Sequence, residues 1–104
     1  MFQRIQITEF HPLWEQKTCC IIDVRTVEEY VEGHVPGAKL LPLHTLAARA
    51  HEIPKDCDVC LICRSGARSA QAAQHLAQEH GHERLINVEG GTMAWIQAGH
   101  PVDR

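Results

Sequence analysis

The chain has 104 residues, 44% of them hydrophobic and 22% charged, with a formal net charge of −3 when His is counted as neutral. That length fits one domain, 1–104, with one core, and an acidic chain without a basic stretch argues against nucleic acid as a partner. No segment approaches the roughly 20 apolar residues that span a bilayer, and the first residues have no apolar h-region, so a cytoplasmic protein away from membranes is expected.

Ile5 and Ile7 alternate with polar neighbours and predict a short first strand. Thr8 is a candidate cap for a helix over 9–16. Cys19–Val24 is a compact apolar run ending at a charged position, as in a buried parallel strand. Thr26 caps the next helix, with Glu28 and Glu29 in its first turn, where the positive dipole end favours them, and Gly33 stops it. Pro36-Gly37 is a turn signal and Lys39–Leu41 a short strand. Leu43–Ala50 reads as a short helix ended before Pro54. Val59–Ile62 is the next buried strand, and Cys63–Arg68 is a loop containing Gly66. Ala70, Ala73, Leu76 and Ala77 recur at helical spacing and predict a helix over Ala67–His80, ended by Gly81. Leu85–Val88 is the last strand. Gly90-Gly91 is a tight turn, and Met93, Trp95 and Ile96 lie in a closing helix stopped by Gly99 and Pro101.

Strands separated by helices imply βαβ units: a mainly parallel five-stranded sheet flanked by helices on both faces. In open α/β sheets ligands bind outside the carboxyl ends of the strands. Two polar clusters fall there, Asp23-Val24-Arg25 and Cys63–Arg68.

The second cluster carries the chemistry. Cys63 ends a strand, and its loop leads into a helix N-terminus, where unpaired amides and the dipole form an anion site. Gly66 lets the backbone turn so that successive N–H groups converge. Arg64 and Arg68 add fixed positive charge. A free thiol titrates near 8.5 and is only a few per cent ionised at neutral pH. Lowering that by about two units takes roughly 2.7 kcal/mol. A helix dipole supplies roughly 0.3–1 and at most ~2 kcal/mol, so converging amides and an Arg have to supply part.

The other four Cys read differently. Five Cys is an odd count and points to free thiols in a reducing compartment. Cys57, Cys60 and Cys63 recur every third residue, but residues three apart in a strand face opposite sides, so no zinc site is expected. Cys60 reads as a packed core residue, as do Cys19 and Cys20. His75, His80 and His82 read as surface residues. His34, in a Gly-His-Val-Pro-Gly turn near Asp23, reads as structural. No metal or cofactor is indicated.

Three separated stretches resemble the rhodanese domain family. IIDVRTVEEYVEGHVPGAKLLPL is similar to its N-terminal signature, ICRSGARS to its active-site loop with the nucleophilic Cys first, and NVEGGTMAWIQAGHPV to its C-terminal signature. The resemblance implies sulfur transfer through a persulfide on Cys63. A donor such as thiosulfate gives up its outer sulfur, and an acceptor, cyanide or a thiol, takes it. The amides of Arg64, Ser65, Gly66, Ala67 and Arg68 would cradle the persulfide, and Arg64 would bind the donor oxyanion. Arg68 either faces that anion or pairs with a carboxylate; pairing with Asp23 is favoured. Arg25 is a salt-bridging support residue beside Asp23. Glu28 and Glu32 read as a solvated helix face. A relay module that takes sulfur from one protein and hands it to another needs the same loop, so the two roles stay open. Some phosphatases share the fold but place five residues between Cys and Arg. Four separate Cys63 from Arg68, a smaller cradle suited to one sulfur atom.

Overall fold

A computed structural model describes residues 2–104. Its five strands are β1 (Gln3–Ile5), β2 (Cys20–Asp23), β3 (Lys39–Leu40), β4 (Val59–Ile62) and β5 (Leu85–Val88). They form one sheet in the order β1-β5-β4-β2-β3, and every pairing is parallel. The helices are α1 (Ile7–Gln16), α2 (Val27–Glu32), α3 (Leu46–Arg49), α4 (Ala67–His80) and α5 (Gly91–Gln97).

Alternation along the strands divides the core in two. Ile22, Val59, Leu61 and Leu85 pack with Leu46 of α3 and Ala72, Ala73 and Leu76 of α4 on one face. Ile21, Cys60, Ile62, Ile86 and Val88 pack with Ile7 and Phe10 of α1 and Trp95 of α5 on the other. Both faces are covered, so the strands are apolar throughout; β4 and β5 are buried at every position.

Three sequence expectations shift. The first strand stops at Ile5, because Ile7 turns inward as the first residue of α1 and is buried at 8% exposure. Gln6, not Thr8, is the N-cap of α1, and its backbone N–H donates to the Glu9 carboxylate at 3.0 Å. The helix expected over 43–50 is a 3-10 turn, Leu43–Thr45, then the single turn of α3, then a second 3-10 turn, Ala50–Glu52. By contrast, α2 has the cap the sequence implies: the Thr26 hydroxyl accepts from Glu29 N–H at 3.2 Å, and the Glu29 carboxylate accepts in return from Thr26 N–H at 3.2 Å.

The topology places the site. The chain moves one way from β2 to β3 and the other way from β4 to β5, so strand order reverses between β2 and β4. Their carboxyl ends lie side by side, with Asp23 in register with Ile62. Such a switch point opens a crevice beyond the strand ends. Cys63 follows Ile62 directly.

Candidate active site

The segment 63–66 hangs by its carbonyls from the start of α5 and from Asn87 of β5. Cys63 C=O accepts from Thr92 N–H at 2.9 Å and from the Thr92 hydroxyl at 3.1 Å. Arg64 C=O accepts from Met93 N–H at 3.0 Å, and Ser65 C=O from Gly90 N–H at 3.2 Å. Gly66 C=O accepts from the Asn87 carboxamide N–H at 3.1 Å. With four successive carbonyls turned outward, the amides are free to turn inward. The same contacts satisfy orphan donors at the start of α5.

Glycine is required where these two segments meet. Gly91 has φ +58°, and a Cβ there would lie 2.5 Å from the Cys63 carbonyl oxygen. Gly66, at φ +109°, is the N-cap of α4, and a Cβ on it would come within 3.3 Å of Gly90 N. These positions carry the left-handed backbone that side chains resist.

The inward donors meet the Cys63 sulfur. Gly66 N–H donates to Sγ at 3.1 Å and the Ser69 hydroxyl at 3.4 Å. Ser69 is fully buried in the first turn of α4. Burial pushes the Cys63 thiol up, but the Ser69 hydroxyl and the amides of Ser69, Gly66 and Ser65 outweigh it and hold the thiol below its ordinary range. Cys63 is only 1% exposed. Its carbon flank joins the apolar face of β2 and β4, while its sulfur sits among polar donors rather than in hydrocarbon.

Arg68 does not pair with Asp23, contrary to expectation. Both Asp23 oxygens are taken by Arg25, whose Nε and Nη2 donate at 2.8–3.1 Å and whose backbone N–H adds a bond at 3.0 Å. Arg25 also donates to Gly33 C=O at 2.8 Å, so this buried pair ties the end of β2 to the end of α2. Arg68 instead makes two 2.8 Å bonds to Glu29. That contact holds the Glu29 carboxyl well below the usual range, at about 2. It clamps α4 against α2 across the mouth of the crevice.

Arg64 is exposed, and its Nε donates to Met93 Sδ at 3.3 Å. Ser65 is exposed on the loop and Ala67 at the first position of α4. A cleft of about 280 Å³ lies beside them, lined by Arg64, Arg25, Glu29, Glu32, Gly33, Thr92, Met93 and Ile96. His34 lies outside that lining: its Nδ1 contacts Tyr30 C=O at 2.9 Å, its ring stacks on Tyr30, and its backbone bridges to Asp103. Sequence reasoning missed Ser69, Thr92 and Asn87. Ser69 lies one helical turn past Gly66 in the quoted motif, a signal that was available. Thr92 and Asn87 act on the loop from 20 or more residues away, and nothing local marks them.

The other thiols are placed differently. Cys60 is fully buried on the face opposite Cys63, and its thiol is pushed up by its contact with Cys19 and by burial. Among the described residues no group of three or more His, Cys, Asp or Glu could hold a metal ion.

The rhodanese-like domain family model matches residues 7–98. A protein named sulfurtransferase from Allochromatium vinosum is 46% identical over 82 residues, covering 79% of this chain and 76% of its own. A Bacillus subtilis relative, provisionally named a sulfur carrier protein, is 39% identical over 75 residues, which cover 72% of this chain but 40% of that longer protein. A rhodanese-related protein from Thermoplasma volcanium superposes with a TM-score of 0.88 at 28% identity, with 97% coverage of both proteins. The chain belongs to the rhodanese-like domain family, in which relatives are named for sulfur transfer and for sulfur carriage.

Proposed function

We propose that the protein is a sulfurtransferase that carries sulfane sulfur as a persulfide on Cys63. One observation carries this reading: the Cys63 sulfur ends β4 facing the Gly66 N–H and the Ser69 hydroxyl, donors suited to an anionic sulfur. In the first half-reaction the Cys63 thiolate attacks the outer sulfur of a donor such as thiosulfate. The sulfur–sulfur bond of the donor breaks, sulfite leaves with the bonding pair, and Cys63 holds the persulfide anion. In the second, a thiophilic acceptor, cyanide or a thiol, bonds to the outer sulfur and Cys63 departs as thiolate. The amides of residues 64–68 cradle the persulfide, and Arg64, exposed at the loop, binds the donor's oxyanion. Arg68 acts through Glu29 as a positioning residue, and Asp23 and Arg25 hold the strand end. With Cys63 only 1% exposed, a donor must offer its sulfur on a slender group. These steps call for no metal or cofactor.

The test is the intact mass after thiosulfate treatment. A gain of one sulfur, removed by a thiol reductant and mapped to Cys63, is expected. No gain, or a gain mapped to Cys19, Cys20 or Cys57, would overturn the reading. The Bacillus subtilis relative named a sulfur carrier favours a second role, as a relay that loads from a partner. Saturable turnover with thiosulfate supports the independent enzyme. Loading of Cys63 only when a desulfurase is present supports the relay.

A further inference from the structure

The cleft beside the loop is lined by four charged residues, and they divide into two kinds. Arg25 is spent on Asp23 and Gly33 C=O, and Glu29 on Arg68. Arg64 and Glu32 have no charged partner among the described residues. The only hydrogen bond of the Arg64 side chain among the described residues is to the neutral Met93 sulfur. Glu32 offers its backbone carbonyl to Arg104 at 3.0 Å, while its carboxylate makes no ion pair or hydrogen bond among the described residues. Met93 and Ile96, both from α5, add apolar surface at 40% and 50% exposure. One open cation, one open anion and a short apolar wall therefore face the same space.

An oxyanion donor uses Arg64 and has no use for Glu32; a carboxylate near it is repulsive. Cyanide uses neither. A molecule bearing both a carboxylate and an ammonium group satisfies both. We propose that this cleft selects zwitterionic, amino-acid-type thiols as sulfur acceptors, with the acceptor carboxylate on Arg64 and its ammonium group on Glu32. The proposal rests on the sulfur-transfer reading above. Donor and acceptor occupy the cleft in turn, so Arg64 serves both. The thiol RSH meets the loaded Cys63–S–S⁻, and the outer sulfur passes to R–S, giving R–S–SH with the acceptor's own proton while Cys63 leaves as thiolate. One S–S bond forms as another breaks, with no net oxidation.

The experiment loads Cys63, removes the donor and follows discharge to four thiols: cysteine, its methyl ester, N-acetylcysteine and 2-mercaptoethanol. Each is compared between the natural protein and Glu32→Gln, so that intrinsic thiol reactivity cancels. Discharge to cysteine and its ester, which carry an ammonium group, is expected to slow roughly three- to fivefold, the scale of a solvent-exposed ion pair. Discharge to 2-mercaptoethanol should not change, and discharge to the anionic N-acetylcysteine should not slow, because a repulsive carboxylate is removed. Glu32→Lys should turn preference towards N-acetylcysteine. An equal ratio for all four thiols would overturn the proposal. A second measurement needs no sulfur chemistry: S-methylcysteine should slow alkylation of Cys63 by iodoacetamide in the natural protein and much less in Glu32→Gln. Absence of protection would also overturn the proposal, whereas failure of Cys63 to load would count against the sulfur-transfer reading alone.

Discussion

Cys60 and Cys63 lie three residues apart on one strand and its exit, and both are within 1% of full burial. Yet the Cys19 contact and burial push the Cys60 thiol up, while the Cys63 thiol is held down. Exposure does not separate them; hydrogen-bond donors do. Cys60 points into the face made by Phe10, Ile62, Ile86 and Trp95, where among the described residues no N–H donates to its sulfur: the strand's amides are spent in the ladder and the Trp95 indole on Pro101 C=O. Cys63 stands where the ladder stops. Its neighbours' carbonyls are taken by Thr92, Met93, Gly90 and Asn87, and their amides turn to the sulfur. The environment of a buried thiol is thus set less by how deep it lies than by whether the backbone around it still has donors to give.

The sharpest test of that contrast is to remove each thiol. Cys63→Ala should abolish sulfur transfer in a thiosulfate assay, while Cys60→Ala should leave turnover intact. Loss of the buried Cys60 sulfur should cost roughly 1 kcal/mol of stability by denaturant unfolding, as for other small truncations in a core. Next comes the scaffold that turns the amides. Gly91→Ala drives a Cβ to 2.5 Å from the Cys63 carbonyl oxygen at a positive φ, so the loop must shift. Transfer should fall at least tenfold, with a melting temperature several degrees lower, while Gly99→Ala, whose Cβ meets nothing within 4 Å, should spare transfer.

A smaller effect should follow Ser69→Ala. The hydroxyl's contact at 3.4 Å is long but helps hold the thiol down, so its loss should raise the Cys63 pKa. Alkylation profiles of the variant should show it, with the Cys60 profile unmoved. Arg64→Ala should raise KM for thiosulfate roughly tenfold, equivalent to about 1.4 kcal/mol, and change it little for a neutral donor. Equal loss with both would remove Arg64 as the oxyanion clamp.

The smallest effect concerns the Arg68–Glu29 clamp. Both side chains are about a third exposed, so Glu29→Gln should cost less than ~1 kcal/mol at neutral pH. Glu29 has a folded pKa below its ordinary value of 4.5, so the pair's contribution is complete above that value and fades as pH falls towards about 2. The stability difference between the natural protein and the variant should therefore be constant from neutral pH to about 5 and shrink below it.

Much of this was legible in the sequence. Short apolar runs between helical patterns identified β2, β4 and β5, and the Thr26 cap, Gly33 and Gly81 marked real helix ends. The loop was legible because strand end, glycine and helix start are local. What failed was the partner of Arg68. Glu29 is 39 residues away, and choosing it over Asp23 depends on Arg25 folding back on its own neighbour. The 3-10 turns around α3 were hidden too: Leu46 and Ala50 have helical spacing and share one core cluster, a pattern that a continuous helix over 43–50 would show equally. The roles of Thr92 and Asn87 depend on β5 and α5 closing over the loop, which no window of sequence contains.

The most direct measurement is the pH dependence of alkylation at each thiol of the natural protein, read cysteine by cysteine by mass spectrometry. Cys63 should titrate below the free-thiol value of about 8.5, with reactivity lost as pH falls through its lowered pKa, while Cys60 stays unreactive across the range. A Cys63 that titrates at or above 8.5, or that resists alkylation as Cys60 does, would contradict the account.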